Sequence, residues 1–109
     1  MIVEYIRYTI DPGHTGEFDD AYRRAGALLD ASPHCLRWEA ARRADESAKQ
    51  IIRIEWDSAE GHLQGFRQSA NFKPFVEATK PFFGDIEEMT HYEVTAHGRG
   101  DIEGTSSSR

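Results

Sequence analysis

Two hydrophobic periods alternate along this chain. Ile2, Val3, Tyr5, Ile6, Tyr8 and Ile10 are β-branched or aromatic and end at Asp11-Pro12-Gly13. That run predicts a strand over 2–10 with apolar groups on both faces. The period then lengthens: Phe18, Ala21, Tyr22, Ala25, Leu28 and Leu29 recur at helical spacing, with Glu17, Asp19, Asp20, Arg23 and Arg24 elsewhere on the wheel. Thr15 is the expected N-cap, Glu17 suits the positive end of the helix dipole, and Ser32-Pro33 stops the helix. Two short strands are expected over 35–42 and 50–56, joined by the polar stretch Ala44–Lys49 as a hairpin connection. In the second of these, Ile52, Ile54 and Trp56 face one way and Ile51, Arg53 and Glu55 the other.

The helical period returns at Ser58 in two pieces. Ser58 is the expected cap of the first, which buries Leu63 and Phe66. The second carries Phe72, Phe75, Val76 and Thr79 on one face. Pro74 fixes the break between them. In mid-helix it would cost about 3 kcal/mol, whereas in a first turn its missing N–H has no partner to lose. With Asn71 as N-cap, Pro74 falls inside that first turn, so the break lies at Ser69–Asn71, and Pro81 ends the piece. A last strand over about 86–95 holds Ile86, Met89, Tyr92 and Val94. Residues 96–109 are small, polar and glycine-rich and read as a flexible tail. The Arg99-Gly100-Asp101 tripeptide in it is a chance likeness to an adhesion motif.

Strand, helix, strand, hairpin, strand, broken helix, strand is the order of a ferredoxin-like, split β-α-β domain of the α+β class. Right-handed crossovers put the helices on one face of a four-stranded antiparallel sheet, within one domain over 1–95. In a soluble monomer the bare face would alternate to polar residues. Here Val3, Tyr5 and Thr9 lie opposite Ile2, Ile6 and Tyr8, and Ile51 lies opposite Ile52 and Ile54. Apolar groups on an uncovered face mark a binding surface, and a second copy is the expected occupant, giving a homodimer.

Charge narrows the partners. A net −6 over 109 residues repels phosphate backbones. Arg37, Arg42 and Arg43 form the one basic cluster, and it is interleaved with Glu39, Asp45 and Glu46, as in a solvated hairpin. No run approaches the roughly 18 apolar residues of a membrane span, and MIVEYIRYTI is not a signal peptide. A lone cysteine, Cys35, fits a reducing compartment, so a cytoplasmic location is expected. It reads as a small buried hydrophobe rather than a nucleophile.

Trp56-Asp57-Ser58-Ala59-Glu60-Gly61-His62, then Phe66-Arg67-Gln68-Ser69 and Phe72, then His91-Tyr92-Glu93 resembles the antibiotic biosynthesis monooxygenase family. The likeness spans nearly all of residues 1–95. It implies a dimeric α+β barrel and, among the family's activities, cofactor-free oxygenation of phenols and quinols; other members have no known reaction. Within the family it looks most like the branch found with truncated haemoglobins.

The resemblance implies a site around Trp56, which matches the tryptophan between sheet and helices in family sites; the alternative is a large core aromatic. His62 is a candidate base toward a phenol, against a partly exposed histidine on a solvent face. His91 is a second candidate base, and Glu4, on the same strand face as Tyr8, is placed to orient either imidazole. Phe66, Phe72 and Phe75, with Tyr8, suit a broad apolar cavity for a flat aromatic ligand, against plain core packing. Phe66 stands where quinol-oxygenase relatives often carry a histidine. His91 and Glu93 share a strand face and with His62 supply the residue types of a two-histidine, one-carboxylate iron site, but no fixed spacing supports that, so no metal and no cofactor are expected. Haem degradation is disfavoured as well. The resemblance puts Val76 at the axial-ligand position and Ile6 at an asparagine position, and neither can serve. Two functions compete: a cofactor-independent monooxygenase acting on a small electron-rich aromatic, and a non-catalytic ligand- or partner-binding barrel serving a haemoprotein or oxygenase.

Overall fold

The computed structural model describes residues 1–98. Strands β1 (Ile2–Thr9), β2 (Cys35–Arg43), β3 (Glu46–Trp56) and β4 (Ile86–Glu93) form one antiparallel sheet in the order β2-β3-β1-β4. Helices α1 (Thr15–Asp30) and α2 (Phe72–Thr79) supply the second layer. The α+β, ferredoxin-like arrangement is the expected one. The even-numbered residues of β1 and β3 face the helices: Ile6, Tyr8, Ile52, Ile54 and Trp56 share one core with Phe18, Tyr22 and Leu29 of α1. Register follows from that burial, because a one-residue slip would turn every one of these side chains outward. It sets Glu4 opposite Ile54 on one side and His91 on the other, and Ile6 between Ile52 and Met89.

Several local expectations are corrected. The β2–β3 connection is a tight turn at Ala44-Asp45, not a six-residue link, because β3 begins at Glu46 and pairs Arg43 with Glu46. Arg43 Nε also reaches Asp45 Oδ1 at 2.8 Å, which closes the turn electrostatically. Thr15 does not cap α1. Asp11 instead accepts from Gly13 N at 2.9 Å and starts a short 3₁₀ turn (Pro12–His14) that feeds the helix. Strand β4 stops at Glu93 rather than Thr95. The break at Ser69–Asn71 is where Pro74 requires it, though the Asn71 side chain makes no cap bond. Of the expected tail over 96–109, residues 96–98 are exposed and without regular structure, and the rest lies outside the described residues.

Helix α1 seats tightly on β2. A Cβ at Gly26 would overlap the Trp38 ring, and Trp38 Nε1 donates to Asp30 Oδ1 at 2.8 Å, so the indole lies flat over the glycine. Below, Tyr8 and Tyr22 join hydroxyls at 2.6 Å, with Phe18 edge-on to Tyr8 at 4.8 Å. The sheet face away from the helices is more polar than the pattern suggested. Glu55, with a side chain 4% exposed, is paired to Arg53 and, at 3.7 Å, to Arg37. Val3 is already buried beside it, so the uncovered apolar groups there reduce to Tyr5, Tyr92 and Ile51. Tyr5 and Tyr92 meet edge to face at 5.3 Å. The arginine cluster is neutralised locally, with Arg42 on Asp19 at 2.6 Å and Arg37 near Glu39 at 3.5 Å. Cys35 is half-buried, and burial, with Asp30 and Glu55 adding, pushes its thiol up to about 11.

Candidate functional site

The site is built where β3 ends. Trp56 closes the strand, and Ser58 Oγ accepts from Gly61 N at 2.8 Å to start the next turn. An α-helix was expected here, yet Gly61–Gly65 forms a π turn, with Phe66 N donating to Gly61 O five residues back, followed by a 3₁₀ turn at Phe66–Gln68. Two glycines account for it. Gly61 and Gly65 lie against the His34 ring, which Asp57 Oδ2 holds at 3.0 Å from Nδ1, and a Cβ at either glycine would overlap that clamp. His34 and Cys35 therefore do not alternate across a strand; His34 precedes β2 and packs on this turn. A π turn brings residues five apart onto one side, where an α-helix would separate them by about 140°. It turns His62 and Phe66 inward while Leu63, expected to be buried, is 38% exposed.

His62 is 4% exposed and stacks on the Trp56 indole at 4.2 Å between centroids, with 9° between planes. That placement rejects the solvent-face alternative for this histidine. Trp56 Nε1 donates to Glu4 Oε1 at 3.1 Å. His62 Nδ1 and His91 Nε2 share a hydrogen bond at 2.7 Å, and His62 Nε2 lies 3.7 Å from Glu4 Oε1. Glu4, His62 and His91 thus meet from β1, the π turn and β4, which the β1–β4 register makes possible. Glu93, the carboxylate considered with the histidines from sequence, is exposed and takes no part. Glu4 stands in its place.

Burial sets the protonation states. It drives His62 down to about 4, with the charges of His91 and Arg67 adding, so the imidazole is neutral at neutral pH. The His62–Glu4 approach is therefore not an ion pair. His91 is lowered too, by burial first and then by Arg67. Glu4 is raised by burial, against the Trp56 hydrogen bond and Arg67. Tyr8 is pushed up to about 12 by burial, against its Tyr22 hydrogen bond.

From this cluster a cavity of about 520 Å³ runs between sheet and helices. Every site residue expected from sequence lines it except His91: Glu4, Tyr8, Trp56, His62, Phe66, Phe72 and Phe75. The size and apolar lining suit one small organic ligand. His91 instead faces an outer hollow of about 260 Å³, which Glu4, His62 and Arg67 also line, so these groups stand between the two spaces. Tyr8 lies away from the histidines, its hydroxyl engaged by Tyr22. Sequence reasoning missed Arg67, Tyr22, Thr79 and Met89 as lining residues. Only Arg67 left a signal, five residues beyond His62 and between two glycine-bracketed aromatic positions. Val76 also lines the cavity and offers no donor to a haem iron.

Comparison with known proteins agrees with this architecture. A Bordetella bronchiseptica structure of the antibiotic biosynthesis monooxygenase type is 20% identical, with a TM-score of 0.75 over 87% of this chain and 97% of that one. A point variant of SnoaB, a cofactor-independent oxygenase from Streptomyces nogalater, is 16% identical, with a TM-score of 0.74 over 88% and 94%. The uncharacterised protein YczJ of Bacillus subtilis (strain 168) is 24% identical over 93 residues, 85% of this chain and 98% of that one. The solved structures establish the fold. The family model for antibiotic biosynthesis monooxygenase matches residues 1–78, and the chain belongs to that family.

Proposed function

We propose that this chain is a cofactor-independent monooxygenase that oxidises a small electron-rich aromatic, a phenol or quinol, with dioxygen. The observation that carries the reading is the buried His62–His91 pair at the end of an apolar cavity. Family membership and the likeness to SnoaB support it. A phenol entering the cavity stacks its ring among Phe66, Phe72 and Phe75 and presents its hydroxyl to His62. His62 accepts the proton at Nε2 while Nδ1 passes one to His91 Nε2, which faces the outer hollow. Arg67 opposes the negative charge left on oxygen. The electron-rich anion then reduces dioxygen itself; one oxygen atom enters the ring as a carbonyl and the other leaves as water, the substrate supplying the electrons.

Magnitudes permit this. Moving a proton from a phenol of pKa about 10 to an imidazole held at about 4 costs roughly 8 kcal/mol. A turnover of about 10 s⁻¹ corresponds to a barrier of about 16 kcal/mol, so roughly half remains for the oxygen step. We also propose that two copies pair through the helix-free sheet face, where Tyr5, Tyr92 and Ile51 are the uncovered apolar groups. Oxygen uptake over a panel of quinols and anthrones tests the activity. Replacing both His62 and His91 by alanine should abolish substrate-dependent uptake; unchanged uptake removes them from the mechanism. Saturable binding of the same compounds without any turnover would instead make this a ligand-binding barrel.

A further inference from the structure

Glu4 carries a carboxylate that the protein leaves under-satisfied. It is 3% exposed, and its one hydrogen bond among the described residues is the Trp56 Nε1 donor to Oε1. An ionised carboxylate offers about four acceptor sites, and buried polar groups are ordinarily satisfied. What faces Glu4 is not a donor but two further ligand-type side chains. One donor atom each from Glu4, His62 and His91 lie within 4.8 Å of one another. We infer that Glu4, His62 and His91 form a binding site for one divalent transition-metal ion.

Donor chemistry selects the ion. Two imidazole nitrogens and one carboxylate oxygen favour zinc, iron or cobalt over magnesium or calcium, which prefer all-oxygen shells. Metal–ligand bonds of about 2.0–2.2 Å place tetrahedral donors roughly 3.4 Å apart. The 2.7 Å imidazole contact must therefore open, and the wider contacts close, by about an ångström. Rotation of the Glu4 carboxylate and a slide of His62 along the Trp56 face provide that. The surroundings match what supports a ligand set: Trp56 Nε1 already orients the Glu4 oxygen, as second partners of ligating carboxylates do. The three protein ligands also leave a coordination position open, and the outer hollow provides entry beside His91. Arg67 lines that hollow and opposes the incoming charge.

This site goes beyond the oxygenase reading and stands without it. An ion bound through His62 removes the lone pair that the proposed base needs, so a loaded protein loses the metal-free route. The test titrates the full-length, chelator-stripped protein with Zn²⁺ by calorimetry and with Co²⁺ by its visible ligand-field absorption, using Mg²⁺ as control. We expect one equivalent of Zn²⁺ or Co²⁺ per chain and no response to Mg²⁺. Glu4→Gln and His91→Ala should each weaken binding about 100-fold or more, as loss of a ligand exceeds the 10–100-fold cost of losing a second partner. Arg67→Ala should tighten it, a change that a purely structural role would not produce. His91 is the least buried of the three, so His91→Ala keeps the test informative if Glu4→Gln fails to fold. Absence of saturable Zn²⁺ and Co²⁺ binding, or binding of undiminished strength in the His91→Ala protein, would overturn the assignment.

Discussion

The bond from Trp56 to Glu4 can be weighed by a double-mutant cycle. Trp56→Phe keeps an aromatic under His62 but removes the only hydrogen bond that Glu4 receives among the described residues. A hydrogen bond to a charged group contributes about 1.5–3 kcal/mol, and shrinking a fully buried indole adds about 1–3 kcal/mol for the space left. Glu4→Leu leaves the indole N–H buried without an acceptor, which costs about 1–3 kcal/mol. With both changes made, neither polar group remains to be unsatisfied. The double variant should therefore be about 1.5–3 kcal/mol more stable than the sum of the single effects predicts. Urea denaturation followed by far-UV circular dichroism at one fixed protein concentration measures this. A pH leg sharpens it. Glu4 is raised by burial, and Trp56 opposes the rise, so Trp56→Phe raises it further. A carboxyl with a raised folded pKa is penalised while ionised, and the penalty disappears as pH falls and the folded state takes the proton first. The cost of Trp56→Phe should therefore be smaller at pH 5 than at pH 8. His62, held down to about 4 against an ordinary 6.5, refuses a proton that the unfolded chain takes below pH 6.5. That lowers stability by about 2 kcal/mol at pH 5 in wild type and variant alike, so it cancels in the difference. A coupling below about 0.5 kcal/mol, or a Trp56→Phe cost independent of pH, would refute the reasoning.

Other perturbations read separate parts of the structure. Gly16→Ala meets nothing within 4 Å and should raise stability by about 0.5–1 kcal/mol, whereas Gly26→Ala, in the same helix, must displace Trp38 and should lower it by about 1–3 kcal/mol; thermal melts of the two should move in opposite directions. At pH 8 a thiol held at about 11 is about 0.1% thiolate against roughly a quarter for a free one, so iodoacetamide should label Cys35 roughly 200-fold more slowly than a free thiol, with the difference abolished in urea. Sedimentation at micromolar concentration should give a dimer that Tyr5→Asp splits, and a monomer at all concentrations would remove the sheet-face pairing.

The sheet and its helix-facing side were legible because period alone carries them. Alternation in β3 and the 3.6-residue repeat in α1 are local properties, and strand length plus turn residues bounded both. The cluster at Glu4 was legible only in pieces. His62, His91 and Glu4 could each be named as candidates, but their meeting depends on β1 lying between β3 and β4 in one register, which no spacing along the chain encodes. Glu93 looked the natural partner of His91 because it is two residues away on the same strand face. The cross-strand neighbour Glu4 is nearer than any i+2 residue on a strand can be. Leu63 and Arg67 were misplaced for a different reason. Helical reasoning assumes 100° per residue, and steric pressure from the His34–Asp57 clamp on two glycines replaced that geometry with a wider turn.

That wider turn makes the lining of the cavity a matter of counting. Deleting a single residue, Gln64 for instance, would let Gly61–Phe66 close as an ordinary α-helical turn without disturbing β3 before it or the Pro74-governed start of α2 after it. Everything between would arrive about 100° out of phase. His62 would still follow Trp56, but Phe66 and Arg67 would exchange places with their outward neighbours, and the aromatic wall would lose its ring while the hollow lost its cation. The scaffold therefore carries a vernier. Chains of this fold that differ by one residue in this turn, with every functional side chain retained, would present different pockets to solvent, and a substrate profile can change through a length variant in which no site residue is substituted.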